Sequence, residues 1–229
     1  MSQPIRVSGA ECQSGPSPTA RALRLEGLRA RDGAALDALL AAVDEPPWDV
    51  ELSPDDEVVP LLRARGFEEY ARAAVMARPL EGLAPAPAAA GVRIAPYSNE
   101  WADSYAEGEA AAMAEHPFYL HMGSPTGYEG AEGFDAAVAA RAGDRVVGFV
   151  QAQLPEGWIN WLWVHPEHRR NGVASALVWE VANAVREARG THLAALVPIR
   201  SDGAALLGKL GFRTRSERVL LLRPAEEPN

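Results

Sequence analysis

The residues best suited to chemistry form a short polar turn followed by small side chains. Arg169 and Arg170 precede Gly172, and Ala174 follows two positions later. A guanidinium group has the planar donor geometry that suits phosphate oxygens. If a helix begins near Gly172, its first backbone N–H groups are unpaired and partly positive, and small residues let an anion approach them closely. The pattern therefore predicts an anion site that fits a pyrophosphate group.

The segments on either side of this turn would position it. Residues 158–164 form an apolar stretch typical of a strand, and residues 191–197 form a continuous apolar run, as expected of a buried strand. Between them, a helix is predicted to about Arg189, because apolar residues recur at every fourth position. These residues are Val173, Leu177, Val181 and Val185. The turn therefore joins a strand to the start of an amphipathic helix.

Further strands and helices are predicted around this unit. The strands are expected at 92–95, 135–141, 145–154 and 213–223, with a hairpin turn at 142–144. Helices are expected at 99–115 and 202–210, the second ended by Gly211, with a loop at 116–134. The order β-α-β-β-β-α-β-α-β predicts an α/β fold, with a mixed central sheet and at least one right-handed crossover.

The first third of the chain resembles its end. Leu62 with Gly66-Phe67 matches Leu207 with Gly211-Phe212 at a single offset of 145 residues. One interpretation is that helix–glycine–strand units look alike in any chain rich in alanine and leucine. The other is that residues 20–79 are a truncated copy of the second half of the main domain, and internal repeats decide a fold when they are present.

These patterns divide the chain into five segments. Residues 1–19 are predicted to be a flexible tail, 20–79 a partial α/β half-domain, and 80–91 a linker rich in proline and alanine. Residues 92–224 form the main domain, and 225–229 a short second tail.

Composition excludes several classes of protein. The 229 residues carry a net charge of -9, which argues against general nucleic-acid binding. Cys12 is the single cysteine, so an internal disulfide is excluded. No apolar stretch approaches the ~20 residues that a membrane span requires, and we expect no membrane partner. The first residues lack the apolar region of a signal peptide, so we expect a cytoplasmic protein.

Three motifs occur in order in the main domain and together resemble the GNAT superfamily of acyl-CoA N-acyltransferases. Residues 164–166 match the Val-His-Pro lead-in of that family, and 209–212 match its closing Lys-Leu-Gly-Phe. Its pyrophosphate loop, Q/R-x-x-G-x-G/A, falls on Arg169, Gly172 and Ala174. The resemblance covers residues 92 to about 223. It implies a GNAT-like mixed sheet flanked by helices, preceded by a degenerate half-domain that lacks the loop.

The resemblance also implies how the co-substrate, acetyl-CoA or another acyl-CoA, would bind. Two parallel strands, 158–164 and 191–197, would separate at a bulge, and pantetheine would pair with the backbone between them. The pyrophosphate would lie on residues 169–175. The implied cofactor-binding residues are Leu162, Trp163, Val164, Arg169, Arg170, Asn171, Gly172, Val173, Ala174, Ser175 and Arg200.

The sequence departs from the family at two positions that usually transfer protons. The tyrosine that often protonates the leaving thiolate would fall at Leu207, and the glutamate that often acts as base would fall at Asn160. Neither side chain titrates. Replacement bases are Glu156, which precedes the central strand, and His121 in the presumed acceptor loop.

Candidate acceptor-binding residues lie near positions 115–130. They are Glu115, His116, Tyr119 and Tyr128. The two tyrosines belong to a wider group of aromatic side chains that could also be core filling. The resemblance implies direct transfer of an acetyl group from acetyl-CoA to a primary amine of a small molecule, in a ternary complex. The alternative is a non-catalytic regulatory module that binds acyl-CoA. The oligomeric state is left open, and a homodimer is one candidate.

Overall fold

The computed structural model describes residues 3–16, 23–43, 47–86, 90–115 and 136–224. The described residues form two compact units. The N-terminal unit contains 3–16, 23–43, 47–73 and 217–224, and the C-terminal unit contains 74–86, 90–115 and 136–216.

The N-terminal unit is an α/β layer with a sheet in the order β1-β2-β3-β4-β11. Its elements are β1 (Gln3–Val7), β2 (Ala10–Pro16), β3 (Leu23–Ala30), α1 (Gly33–Ala41), β4 (Trp48–Leu52), α2 (Val58–Arg63), the first half of β5 (Glu68–Pro79) and the end of β11 (Arg213–Arg223). Strands β3 and β4 are parallel, and the other described pairs in this unit are antiparallel. Leu36, Leu39, Val50, Leu62 and Leu221 lie in its apolar core.

The predicted tail at 1–19 is wrong for the residues that the structure describes there. Residues 3–16 form the hairpin β1–β2, in which Ile5 pairs with Cys12 and Val7 with Ala10. These four side chains are buried or half-buried, while Arg6 and Glu11 are exposed. The alternation with a period of two was short and mixed with polar residues, so it did not stand out in the sequence.

The C-terminal unit contains the predicted mixed sheet, in the order β5-β10-β9-β8-β7-β6. Its elements are β6 (Arg93–Pro96), α3 (Ala102–Glu115), β7 (Ala136–Ala142), β8 (Arg145–Gln153), β9 (Trp158–Val164), α4 (Val173–Glu187), β10 (His192–Pro198) and α5 (Asp202–Lys209), with the end of β5 and the start of β11. The predicted elements at 92–95, 145–154 and 202–210 therefore agree with the structure to within two residues.

Helices cover both faces of this sheet. The apolar stripe of α4 lies in one cluster with Ile159, Leu162 and Val164, which point to the same face of β9. Trp163 points to the other face, where a Cβ added to Gly108 of α3 would lie 2.9 Å from the indole ring. The α/β fold class predicted from the sequence is confirmed.

The N-terminal repeat is present in the structure. Helix α2 ends at Gly66 with φ +79°, and the N–H of Phe67 bonds to the carbonyl of Leu62. Helix α5 ends in the same way at Gly211 with φ +88°, and the N–H of Phe212 bonds to the carbonyl of Leu207. Both ends have the geometry of a Schellman motif. The order α1-β4-α2-β5 thus repeats as α4-β10-α5-β11.

The last strands of the two repeats are exchanged. Strand β11 pairs with β4 from Val219↔Leu52 to Arg223↔Trp48 in the N-terminal unit. Strand β5, its counterpart in the first repeat, is the hydrogen-bonded neighbour of β10 in the C-terminal unit. Each unit therefore contains about half of the final strand of the other repeat, which the sequence analysis did not predict.

The start of the predicted linker is anchored in the C-terminal unit. Leu80 and Leu83 are buried in its apolar cluster. The N–H of Leu80 donates to the carbonyl of Thr191 at 2.9 Å. The described part of segment 80–91 is therefore fixed rather than a free connector, because two leucines hold it.

Candidate active site

The parallel strands β9 and β10 separate along their length. They pair at Ala194↔Trp158 and Ala195↔Ile159, and the described residues form no further pair beyond these. On the other side of β9, the register with β8 shifts between Gln151↔Trp161 and Ala152↔Ile159, which makes Asn160 the extra residue of a bulge. An extended ligand could therefore pair with the backbone of β9 where β10 has moved away.

The anion loop, residues 169–175, connects β9 to α4. Its backbone is left-handed at Arg170 (φ +64°) and at Gly172 (φ +84°). Such a conformation is uncommon for arginine, and it marks the loop as locally strained. Gly172 is the N-cap of α4, and no side chain among the described residues caps the first turn of this helix. The free N–H groups of residues 173–175 therefore remain available to an anion.

Two other helices lack this feature because a side chain caps them. The carboxylate of Asp32 accepts a hydrogen bond from the N–H of Ala35 at the start of α1, at 2.8 Å. Ser201 caps α5 in the same way through Ala204. In the N-terminal repeat, an internal carboxylate thus occupies the position at which α4 leaves its N–H groups free.

The guanidinium of Arg169 contacts the end of β9 and the end of α3. Its Nε donates to the carbonyl of Val164 at 2.8 Å, and its Nη2 lies 2.6 Å from Oε1 of Glu115. The indole N–H of Trp163 is 3.4 Å from the same carboxylate oxygen. In this structure the guanidinium of Arg169 is held by Glu115, and its predicted contact with a phosphate stays a prediction. Glu115, predicted to bind the acceptor, faces the loop.

Arg170 and Arg200 supply positive charge at the same edge of the sheet. Nη2 of Arg170 lies 3.7 Å from Oδ1 of Asp202, which begins α5, and both side chains are largely exposed. Arg200 is exposed in the turn between β10 and α5, with φ +64°. An exposed pair of this kind is weak, so Arg170 can turn toward an anion at little cost.

The amino-acid sequence matches one known protein family. A family model described as "Acetyltransferase (GNAT) family" matches residues 97–212, just over half of the chain. The chain belongs to this acetyltransferase family. No curated protein matches the sequence significantly.

Solved structures show the same GNAT fold. A GCN5-related N-acetyltransferase from Sphaerobacter thermophilus is 19% identical, with a TM-score of 0.64 over 96% of this chain and 79% of that one. One from Kribbella flavida is 17% identical, with a TM-score of 0.67 over 98% and 90%. A tandem GNAT protein from the clavulanic acid biosynthesis pathway, solved without AcCoA, is 14% identical, with a TM-score of 0.62 over 96% and 80%. The tandem architecture agrees with the repeat described above.

Neither position expected to transfer protons in a GNAT protein titrates here. Leu207 is 2% exposed and packs in the apolar cluster between α5 and the sheet. Asn160 lies at the bulge of β9, and its Nδ2 is 3.5 Å from the carbonyl of Trp158. A leucine and an amide cannot act as acid or base.

Glu156 lies at the opposite end of β9 from the anion loop. Glu156 is exposed on the turn between β8 and β9, at the start of β9, whereas the anion loop follows its end. The seven-residue strand between them spans about 20 Å. Glu156 therefore lies too far from the anion loop to contact a pyrophosphate, and its role as a base stays a prediction. His116, Tyr119, His121 and Tyr128 lie outside the described residues.

One polar pair near the bulge was missed by the sequence analysis. Gln151 is 2% exposed, and its Nε2 donates to the hydroxyl of Tyr105 at 2.6 Å. Its Oε1 has no hydrogen-bond partner in the part of the chain that the structure describes. The available signal was a glutamine in the middle of an apolar strand, at a position that alternation predicts to be buried.

The described residues contain neither a membrane-spanning helix nor a cluster of metal ligands. No helix among them is long and apolar enough to cross a membrane. They also contain no group of three or more histidine, cysteine, aspartate or glutamate residues that could hold a metal ion.

Proposed function

We propose that this GNAT protein moves an acetyl group from acetyl-CoA to a primary amine of a small molecule. The observation that carries the proposal is the uncapped start of α4 beside the point where β9 and β10 separate. The first feature suits a pyrophosphate, and the second suits an extended amide chain, in the order in which acyl-CoA presents them. We place the reaction in the cytoplasm.

Each part of the site has one task in this proposal. The N–H groups of residues 173–175, with Arg170 and Arg200, hold the pyrophosphate. The backbone of Leu162 and Val164 orients the pantetheine, and Glu115 with Arg169 keeps the loop in place. When bound, acetyl-CoA supplies a thioester carbonyl that is already activated toward an amine. The chain's contribution is then orientation and charge stabilisation, which are large terms in catalysis.

Removal of the proton from the attacking amine is assigned to His121. A histidine titrates near neutral pH, and the two usual positions hold Leu207 and Asn160. His121→Ala is therefore expected to lower kcat about a hundred-fold, the usual contribution of a general base. A loss of less than about threefold would remove His121 from the mechanism.

The experiment is a screen of primary amines with acetyl-CoA, in which released CoA is measured with a thiol reagent. Acceptor-dependent release that disappears in Gly172→Asp supports the proposal. Arg145→Gln, at an exposed position on the β7–β8 hairpin, is the control for a general loss of charge.

A second candidate is a regulatory module that binds acyl-CoA without turnover. Leu207 and Asn160 favour it, because they remove both usual proton-transfer groups. Saturable binding of acetyl-CoA without acceptor-dependent release of CoA, over a broad panel of amines, would support this alternative over catalysis.

A further inference from the structure

A groove lies at the opposite end of the C-terminal unit from the anion loop. Its volume is about 800 Å³. It is lined by residues 77–81, Arg186, residues 190–192 and Arg215. Arg186 lies in the last turn of α4, about 20 Å along the helix from Gly172. The groove is therefore separate from the proposed acyl-CoA site.

Four of the lining residues carry or can carry positive charge. These are Arg78, Arg186, Arg215 and His192. Glu81 is the acidic residue of the lining, and it is its carbonyl that accepts a hydrogen bond from Arg78. The groove is thus cationic in a protein whose net charge is -9.

Arg78 is unusual because the residue is only 9% exposed, and no carboxylate among the described residues pairs with its guanidinium. It donates instead to three backbone carbonyls, those of Pro79, Glu81 and Leu210. Peptide carbonyls hold the group in place but do not neutralise its charge. Burial, and then the charge of Arg186, lower the pKa of Arg78.

Arg186 is held in the same manner. Its Nη1 donates to Oδ1 of Asn183 at 2.7 Å, its Nη2 donates to the carbonyl of Leu80 at 3.1 Å, and its guanidinium stacks on Trp179 at 4.8 Å. No carboxylate in the described part of the chain pairs with it. Two fixed like charges that are close together disfavour each other, and a bound anion would relieve this cost.

The two guanidiniums also have donors to spare. Each arginine side chain carries five N–H groups. Arg78 uses three of them and Arg186 uses two. The remaining donors, with the exposed side chains of Arg215 and His192 at the groove wall, match the oxygens of an anion.

We propose that this groove binds a small anion that carries phosphate or carboxylate groups, at a site distinct from the acyl-CoA site. Pyrophosphate and citrate are the probes, since they represent the two sources of such oxygens. The anion loop is itself expected to attract pyrophosphate. The titrations therefore use full-length Gly172→Asp, in which a carboxylate blocks that loop.

The expected result is saturable calorimetric binding of at least one probe to Gly172→Asp at millimolar concentration or below. Arg186→Gln in the same background should weaken it about ten-fold or more, since a charge-assisted bond is lost. Arg215→Gln, which alters an exposed side chain at the groove wall, should weaken it about threefold. Arg145→Gln is the matched control and should leave it unchanged.

The preferred probe identifies the ligand class, phosphate or carboxylate. The proposal is overturned if neither probe binds Gly172→Asp, or if binding is the same in Arg186→Gln and Arg215→Gln as in the control. Because acetyl-CoA plays no part in these titrations, their outcome is independent of the proposed transferase activity.

Discussion

The carboxylate of Glu115, at the end of α3, holds the guanidinium of Arg169, the first residue of the anion loop. The same guanidinium donates to the carbonyl of Val164, at the end of β9. Arg169 thus ties the loop to a strand and to a helix at once. Its role in this geometry is to position the N–H groups that follow it.

This arrangement predicts strong coupling between the two residues. Arg169→Ala and Glu115→Ala should each weaken acetyl-CoA binding by up to about fivefold, the range for a partly exposed pair. The double variant should be no weaker than the worse single variant, because either change releases the loop. Calorimetric titration of all four proteins measures the cycle. Loss of binding in Arg169→Ala alone, with Glu115→Ala unaffected, would show that Arg169 contacts the phosphates directly.

Cys12 tests the hairpin formed by β1 and β2. The side chain is 4% exposed, and burial raises the pKa of its thiol. The native protein should therefore react slowly with an aromatic disulfide reagent at neutral pH and rapidly in denaturant. Because Cys12 is the single cysteine, the readout is unambiguous. Immediate reaction in the native state would restore the tail predicted from the sequence.

The same thiol gives a pH dependence with a definite sign. Burial disfavours the thiolate, so the folded protein keeps its proton at a pH where the unfolded chain has lost it. The contribution of the buried Cys12 thiol to the free energy of unfolding is complete below the usual thiol pKa of about 8.5. This contribution is lost as the pH rises above that value. Cys12→Ser, compared by denaturant titration, should show a smaller loss of stability between neutral and alkaline pH. An equal loss in both proteins would contradict the burial of the thiol.

The exchange of final strands predicts that the second repeat does not fold by itself. A fragment of residues 92–224 lacks β5 and the buried side chains of Leu80 and Leu83. It should show no cooperative thermal transition by circular dichroism, whereas the full chain should.

A milder variant tests the same point without truncation. Leu80→Ala in the full chain should lower the free energy of unfolding by about 2–4 kcal/mol, as expected for a buried leucine. The account of the linker is wrong if Leu80→Ala is neutral, and the account of the exchange is wrong if the fragment unfolds cooperatively.

Local patterns predicted most of the second repeat. The strand at 158–164 is predicted by its apolar stretch, and the helix from Val173 by apolar residues that recur at every fourth position. The hairpin at 3–16 was missed, because its alternation is short and one of its faces is polar. Strand exchange could not be predicted, since β5 and β11 have similar patterns and local sequence does not specify which partner each strand chooses.

The site was predictable only in its local part. The small residues and positive charges at 169–175 follow one another in sequence, and the structure keeps them together at one helix start. The contact of Arg169 with Glu115 spans 54 positions, and no pattern in the chain signals it.

The most direct test of the account is the affinity for acetyl-CoA of the wild-type chain and of two matched variants. Gly172→Asp gives α4 the carboxylate that Asp32 gives α1, and Asp32→Gly removes it from α1. Calorimetry should show micromolar binding to the wild type, at least a hundred-fold weaker binding to Gly172→Asp, and unchanged binding to Asp32→Gly. Equal affinity in the wild type and Gly172→Asp, or no binding to the wild type, would contradict the central claim that the start of α4 holds the pyrophosphate.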